Sequence, residues 1–123
     1  SVNDYTSGRF FDDAISYAFY PVDLHTRAGV KPEPLKPGVT PTIPLRALIP
    51  KGSRDLIVAG RCVSSDRLAN SGLRVQAACM GMGQAAGVAA ALASKAGSTP
   101  LEVPLDEIRQ KLREHGQIVP EQA

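Results

Sequence analysis

Apolar and polar positions follow different rhythms along the chain, and each rhythm predicts an element. After a polar, turn-rich opening over residues 1–13, AISYAFYPVDL concentrates aromatic and β-preferring side chains, predicting a strand over Ile15–Tyr20 that Pro21 ends or confines to an edge. Between residues 28 and 44, Pro32, Pro34, Pro37, Pro41 and Pro44 remove backbone donors and enforce extended geometry, so a surface loop or crossing connection is expected, which need not be a domain boundary. TIPLRALIP, bracketed by Pro44 and Pro50, predicts a second short strand, and KGSRD a turn. LIVAG, Leu56–Gly60, places four consecutive apolar residues between that turn and a glycine, the pattern of a central strand buried on both faces.

The second half changes to helical spacing. A polar loop, RCVSSDRLANSG, precedes a helix expected over residues 73–96, with Asn70 or Ser71 able to cap its start and Gly97 suited to the left-handed position past its end. A last helix over residues 104–115 has Pro104 near its first position, Asp106 and Glu107 in its first turn, and His115 as a cap before Gly116. Leu105, Ile108 and Leu112 recur at three and four residues, forming one apolar stripe. The architecture expected is α/β, a few strands with a central Ala/Gly-rich helix packed on them and an amphipathic C-terminal helix.

Composition narrows the function classes. At 123 residues the chain suits one small domain with one modest core, and 43% apolar with 21% charged residues is ordinary globular usage. The net charge of +2 arises from 14 basic and 12 acidic residues scattered along the chain, which gives no clustered cationic footprint for nucleic acid. Cys62 and Cys79 form no C-x-x-C pair and lie far from His25 and His115, so no metal site is expected; one disulfide is possible, but buried free thiols are the preferred reading. The uncharged run from Val75 to Ser94 is nearly long enough to span a bilayer, but it is mostly Ala and Gly with Gln76 and Gln84 inside, and reads as a buried helix rather than a membrane span. Neither a basic n-region nor a continuous apolar h-region marks a signal peptide at the start of the sequence.

Within MGMGQAAGVAAAL, Gly81, Gly83 and Ala86 fit G-x-G-x-x-G/A, and Glu102 stands about twenty residues on, as a dinucleotide fingerprint would require. That fingerprint works only where a strand ends in the first glycine. Here ANSG is a better helix start than CMGM, and STPLEVP carries prolines where a second strand should run. The glycines are therefore expected inside a helix, where each costs about 0.5–1 kcal/mol relative to alanine and needs a close-packing reason. A stand-alone NAD(P) domain on Gly81 and Gly83 is the weakest reading.

The larger stretch PLRALIPKGSRDLIVAGRCVSSDRLANSGLRVQAACMGMGQAAGVAAALA resembles the C-terminal signature of FAD-dependent oxidoreductases: a central strand, an A-G-R-C-[IV]-S turn, and an Ala/Gly-rich helix opened by R-V. AISYAFYPVDLH resembles an earlier segment of that family. The resemblance implies a Rossmann-like, two-dinucleotide-binding flavoprotein fold of which these residues are a C-terminal fragment. In such a fold the true G-x-G-x-x-G lies in an N-terminal part that binds the ADP half of FAD. The partner implied is thus that N-terminal FAD-binding part of the same polypeptide, with a small-molecule substrate. FAD belongs to the full-length parent, and the fragment alone is expected to retain none and to be inactive.

By the same resemblance, the turn Gly60-Arg61-Cys62 runs beside the ribityl and pyrophosphate region, with Gly60 allowing close approach. Many flavoproteins carry an acidic residue where this chain has Arg61, so backbone groups or the Arg61 and Cys62 side chains would have to substitute. Gly72, Leu73, Arg74 and Val75 open the helix whose positive end is aimed at the pyrimidine edge of the flavin, stabilising its reduced form by about 0.3–2 kcal/mol, and Arg74 could add a full charge or serve a surface ion pair. His25, near Tyr20 and Asp23, is the candidate proton acceptor, against a structural hydrogen-bonding role. The alternative to a flavoprotein fragment is a small non-enzymatic α/β module that self-associates through its Ala/Gly helix face, and apolar surface left exposed would favour homo-oligomers under either reading.

Overall fold

A computed structural model describes residues 1–25 and 32–122, so residues 28–31 of the expected proline-rich connection lie outside the described residues. The opening is not only turns. Ser1 and Asp4 form a capping box, the Ser1 hydroxyl accepting the Asp4 N–H and the Asp4 carboxylate reaching back, which nucleates helix α1 (Val2–Ser7) before Gly8 turns left-handed at φ +68°.

Strand β1 (Ala14–Tyr17) pairs antiparallel with β2 (Thr42–Pro44), Ser16 opposite Ile43 and Tyr17 opposite Thr42, with a bulge between Ala14 and Ser16. β1 stops short of the expected Tyr20; after the Ala18 N–H bonds to the Pro41 carbonyl at 2.8 Å the chain leaves the sheet, and Phe19 stands 63% exposed. The second expected strand is also shortened, because the chain coils into a 3-10 turn over Leu45–Leu48 directly after Pro44. Farther on, Val22 and Glu33 exchange both backbone hydrogen bonds at 3.0 and 2.9 Å.

LIVAG is not a strand here. Among the described residues the sheet has two strands, and Leu56–Gly60 lies outside it, tied by the Val58 N–H to the Leu48 carbonyl at 2.7 Å. Leu56 is 52% exposed and Ile57, Val58 and Ala59 are half-buried. A central strand requires ladder partners on both edges, and apolar patterning states the preference without supplying those neighbours.

The expected helix over 73–96 is two helices. Asp66, not Asn70 or Ser71, caps the first, its carboxylate accepting the Ala69 N–H at 2.9 Å to start α2 (Arg67–Leu73). Val75 then adopts an extended conformation (φ −76°, ψ 155°) and α3 (Gln76–Ala96) begins beyond it, ending at Gly97 with φ +64°. Asn70 instead donates to the Val63 carbonyl, and Ser71 Oγ accepts the Asp23 N–H. The last helix, α4, runs Leu105–Glu114 with Pro104 and His115 as its flanking caps.

The core forms where α3 lies across β1 and against α4. Ala78, Met82, Ala85, Ala86, Ala89 and Ala93 are the buried face of α3, meeting Ile15 and Ile43 from the sheet and Ile108 and Leu112 from α4. Gly81 brings helix and strand together, since a Cβ there would fall on Ser16 Oγ. The packing reason expected for all three helix glycines thus holds within this chain for Gly81 alone. Nothing lies within 4 Å of a Cβ built on Gly83 or Gly87, which share an exposed face with Met80. On the outer edge of β1, Arg109 donates to the Ala14 carbonyl at 2.9 and 3.1 Å and Gln117 to that of Ile15 at 2.6 Å, satisfying acceptors that a third strand would otherwise take.

α3 is long and apolar enough to cross a membrane, and a third of its most apolar window is buried within the chain. Cys62 and Cys79 are both free thiols, Cys62 exposed rather than buried.

Candidate functional site

The junction of α2 and α3 is the polar centre of the fold. α3 begins without a side-chain cap: Val75 has no polar group to offer, and the first helix-internal bond runs from the Cys79 N–H to the Val75 carbonyl at 3.0 Å. The amide N–H groups at the start of α3 therefore have no helical acceptor. Twenty-one residues of aligned peptide dipoles make that end equivalent to about half a positive charge. Arg74 stands just before it, half-buried, with one guanidinium nitrogen 3.3 Å from the Asp23 carbonyl. Two sources of positive potential meet there, and the first turn of α3 itself carries no acidic residue. The arrangement suits a ligand that presents acceptors or negative charge.

Beside the junction is a cavity of about 260 Å³, bounded on one side by Asp23, Leu24 and His25 and on the other by Arg67, Asn70, Ser71 and Arg74. His25 and Arg74, both expected at the site, are thus brought to one cavity. His25 Nε2 lies 3.4 Å from an Asp23 carboxylate oxygen, and the ring is 76% exposed. Asp23 is buried, its N–H held by Ser71 Oγ at 3.0 Å and its carbonyl by Arg74, so the segment carrying His25 is fastened to α2 through its backbone.

Other expected residues take different places. Gly72 is buried inside α2, where a Cβ would sit 2.5 Å from Cζ and 2.8 Å from Cε1 of Tyr5. Its glycine is required by a tyrosine, and Gly72 lines neither cavity described here. Leu73 lines a second, more apolar cavity of about 110 Å³ together with Tyr5, Phe11, Ile43, Ala47 and Val63. Gly60-Arg61-Cys62 forms a turn closed by the Val63 N–H on the Gly60 carbonyl at 3.1 Å, with Cys62 Sγ 3.4 Å from the Ala59 carbonyl. Gly60 has φ +94° and open space where a Cβ would stand, so conformation rather than crowding selects glycine there. The turn borders neither cavity; Val63, one residue on, ties it to α2 through the Asn70 amide at 3.4 Å.

Arg67, Asn70 and Ser71 belong to the cavity wall although the patterning did not single them out for chemistry. With Arg74 they recur at i, i+3, i+4 and i+7, one helix face that is polar throughout. The signal becomes visible once Asp66 is recognised as an N-cap.

Among the described residues neither cavity reaches the roughly 300–1,000 Å³ of an ordinary ligand pocket. Comparison with curated proteins and with solved structures gives no match. A family model, FAD dependent oxidoreductase, matches residues 1–112. That match takes in both helices of the junction, the Gly60–Cys62 turn and the His25 segment, and on it the chain belongs to the FAD-dependent oxidoreductase family.

Proposed function

We propose that this chain is the flavin-contacting C-terminal part of a longer FAD-dependent oxidoreductase and is inactive on its own. The observation that carries this reading is the uncapped start of α3 beside Arg74, within a segment matched to the family. Free helix N–H groups and a guanidinium fit the acceptor-rich edge of a flavin, and Gly60, open above its Cα, fits a backbone turn approached closely by the cofactor. Arg61 and Cys62 are exposed and stand in that turn as further contacts.

FAD, when bound, supplies two-electron or hydride transfer. The chain's own residues then hold charge and move a proton. The backbone N–H groups after Val75 and the Arg74 guanidinium stabilise negative charge placed next to them, by about 0.3–2 kcal/mol for the dipole contribution. His25 accepts a proton through its Nδ1, while Asp23, beside Nε2, orients the ring.

Three features support a missing neighbour. Among the described residues Leu56–Gly60 is strand-like in composition yet outside the sheet, Gly83 and Gly87 have nothing over them on an exposed helix face, and both cavities are too small to enclose a cofactor. We assign these surfaces to the N-terminal FAD-binding part of the same polypeptide; self-association through the bare α3 face is the alternative cover. The test is flavin content. A polypeptide extended by its upstream coding sequence is expected to purify with FAD, and the 123-residue chain without it; stoichiometric flavin on the short chain would overturn the reading.

A further inference from the structure

The face of α2 turned toward the Asp23–His25 segment is polar where a helix packed on its own protein would ordinarily present an apolar stripe. Ser71 is buried there with both hydrogen-bonding roles of its hydroxyl filled, accepting from Asp23 N–H and donating to the Leu68 carbonyl at 2.6 Å. Asn70 spends its amide on Val63. The guanidinium groups are different. Arg74 makes one bond, to a carbonyl, and Arg67 forms no ion pair or side-chain hydrogen bond among the described residues. Asp23 is the one carboxylate on the wall among the described residues, and His25 stands 3.4 Å from it, so there two guanidinium charges face a single carboxylate that already has a neighbour. Among the described residues, two guanidinium groups and one carboxylate thus line a cavity of about 260 Å³.

We propose that this cavity is an oxyanion subsite, in which Arg67 and Arg74 bind one carboxylate or phosphate group of a small organic substrate beside His25. A planar guanidinium matches either group through paired N–H donors. Among the described residues the wall carries one more guanidinium than carboxylate, which suits a single oxyanion, and a cavity of about 260 Å³ suits a short carbon skeleton. The identity of this ligand as substrate rests on the oxidoreductase reading given above; the binding of an oxyanion does not, because it needs no flavin.

The test is a titration of the flavin-free 123-residue chain followed by backbone amide NMR, with propionate, inorganic phosphate and neutral propionamide as separate probes. Propionate, phosphate or both are expected to shift signals of residues 23–25 and 67–74 saturably, with propionamide inert. A response to propionate alone identifies a carboxylic acid ligand, and a response to phosphate alone a phosphorylated one. Arg67→Ala and Arg74→Ala should each weaken binding about tenfold, and Arg67→Lys, which keeps the charge without the fork, less. Arg67 is exposed, so its removal leaves the fold intact. Shifts scattered over residues beside all basic side chains, binding by both alanine variants as tight as by the unsubstituted chain, or no saturable response to either anion would overturn the proposal. Flavin content of the extended polypeptide is read separately, so either idea can fail without the other.

Discussion

Replacing Gly72 by alanine sets two well-defined effects against each other. Alanine is the better helix former, by about 0.5–1 kcal/mol, and on propensity alone the change should stabilise α2. The new methyl, however, would stand 2.5 Å from Cζ and 2.8 Å from Cε1 of Tyr5, about 1 Å inside the normal 3.5–4.0 Å carbon contact. Tyr5 has little room to retreat: it is buried, and its hydroxyl donates to the Tyr20 carbonyl at 2.7 Å, joining α1 to the segment that leads to His25. Overpacking of this kind costs about 1–3 kcal/mol, and displacing the ring puts a further hydrogen bond worth about 1 kcal/mol at risk. The expected net loss is about 2 kcal/mol, read as a lower urea midpoint at unchanged slope by circular dichroism. In a Tyr5→Leu background the crowding atoms are gone, and the same Gly72→Ala change should become neutral or stabilising. An equal penalty in both backgrounds, or a stabilised single variant, would refute the packing role.

Glycines on α3 should divide in the same assay. Gly81→Ala is expected to destabilise by about 1–2 kcal/mol through Ser16, whereas Gly83→Ala and Gly87→Ala, with nothing within 4 Å, should each stabilise the 123-residue chain by about 0.5–1 kcal/mol. In acid, Asp66 is held below the usual carboxylate range chiefly by the Ala69 N–H, and Glu102 by that of Thr99. Because both are depressed on folding, their stabilisation is present above the unfolded value near about 4 and is lost as pH falls through the folded values; Asp66→Asn, which keeps the cap, should flatten that acid slope. In base the sign reverses. Burial pushes the Tyr5 phenol up to about 12, so its contribution is intact below about pH 10 and lost as pH rises through the folded value, and Tyr5→Phe should remove this alkaline component from urea midpoints measured across pH.

What the sequence revealed depended on whether the cause was local. Gly97 at the end of α3, Pro104 before α4, and the Leu105, Ile108 and Leu112 stripe are set by residues within a turn or two, and all were legible. The break at Arg74–Val75 was not: nothing in GLRVQAAC forbids a continuous helix, and recognising α2 depends on Asp66 as its cap. LIVAG failed for the opposite reason, since its apolar run reports what the segment prefers, while among the described residues no strand runs beside it. At the site, His25 and Arg74 were chosen for their chemistry and share one cavity, but Gly72 turned out to be selected by Tyr5, a contact across 67 positions that no local pattern encodes. Arg67 is not legible for the same reason as α2, since the polar run RCVSSDRLANSG has the composition of a loop and only the Asp66 cap marks a helix there.

The most direct measurement is the flavin content and midpoint potential of the polypeptide extended upstream, compared with its Arg74→Ala variant and with the 123-residue chain. The account predicts stoichiometric FAD on the extended protein and none on the short chain. It also predicts a potential lowered by about 20 mV when Arg74 is removed, the equivalent of losing roughly 1 kcal/mol of stabilisation of negative charge beside the α3 terminus. Flavin held stoichiometrically by the short chain, or a potential unmoved by Arg74→Ala, would contradict it.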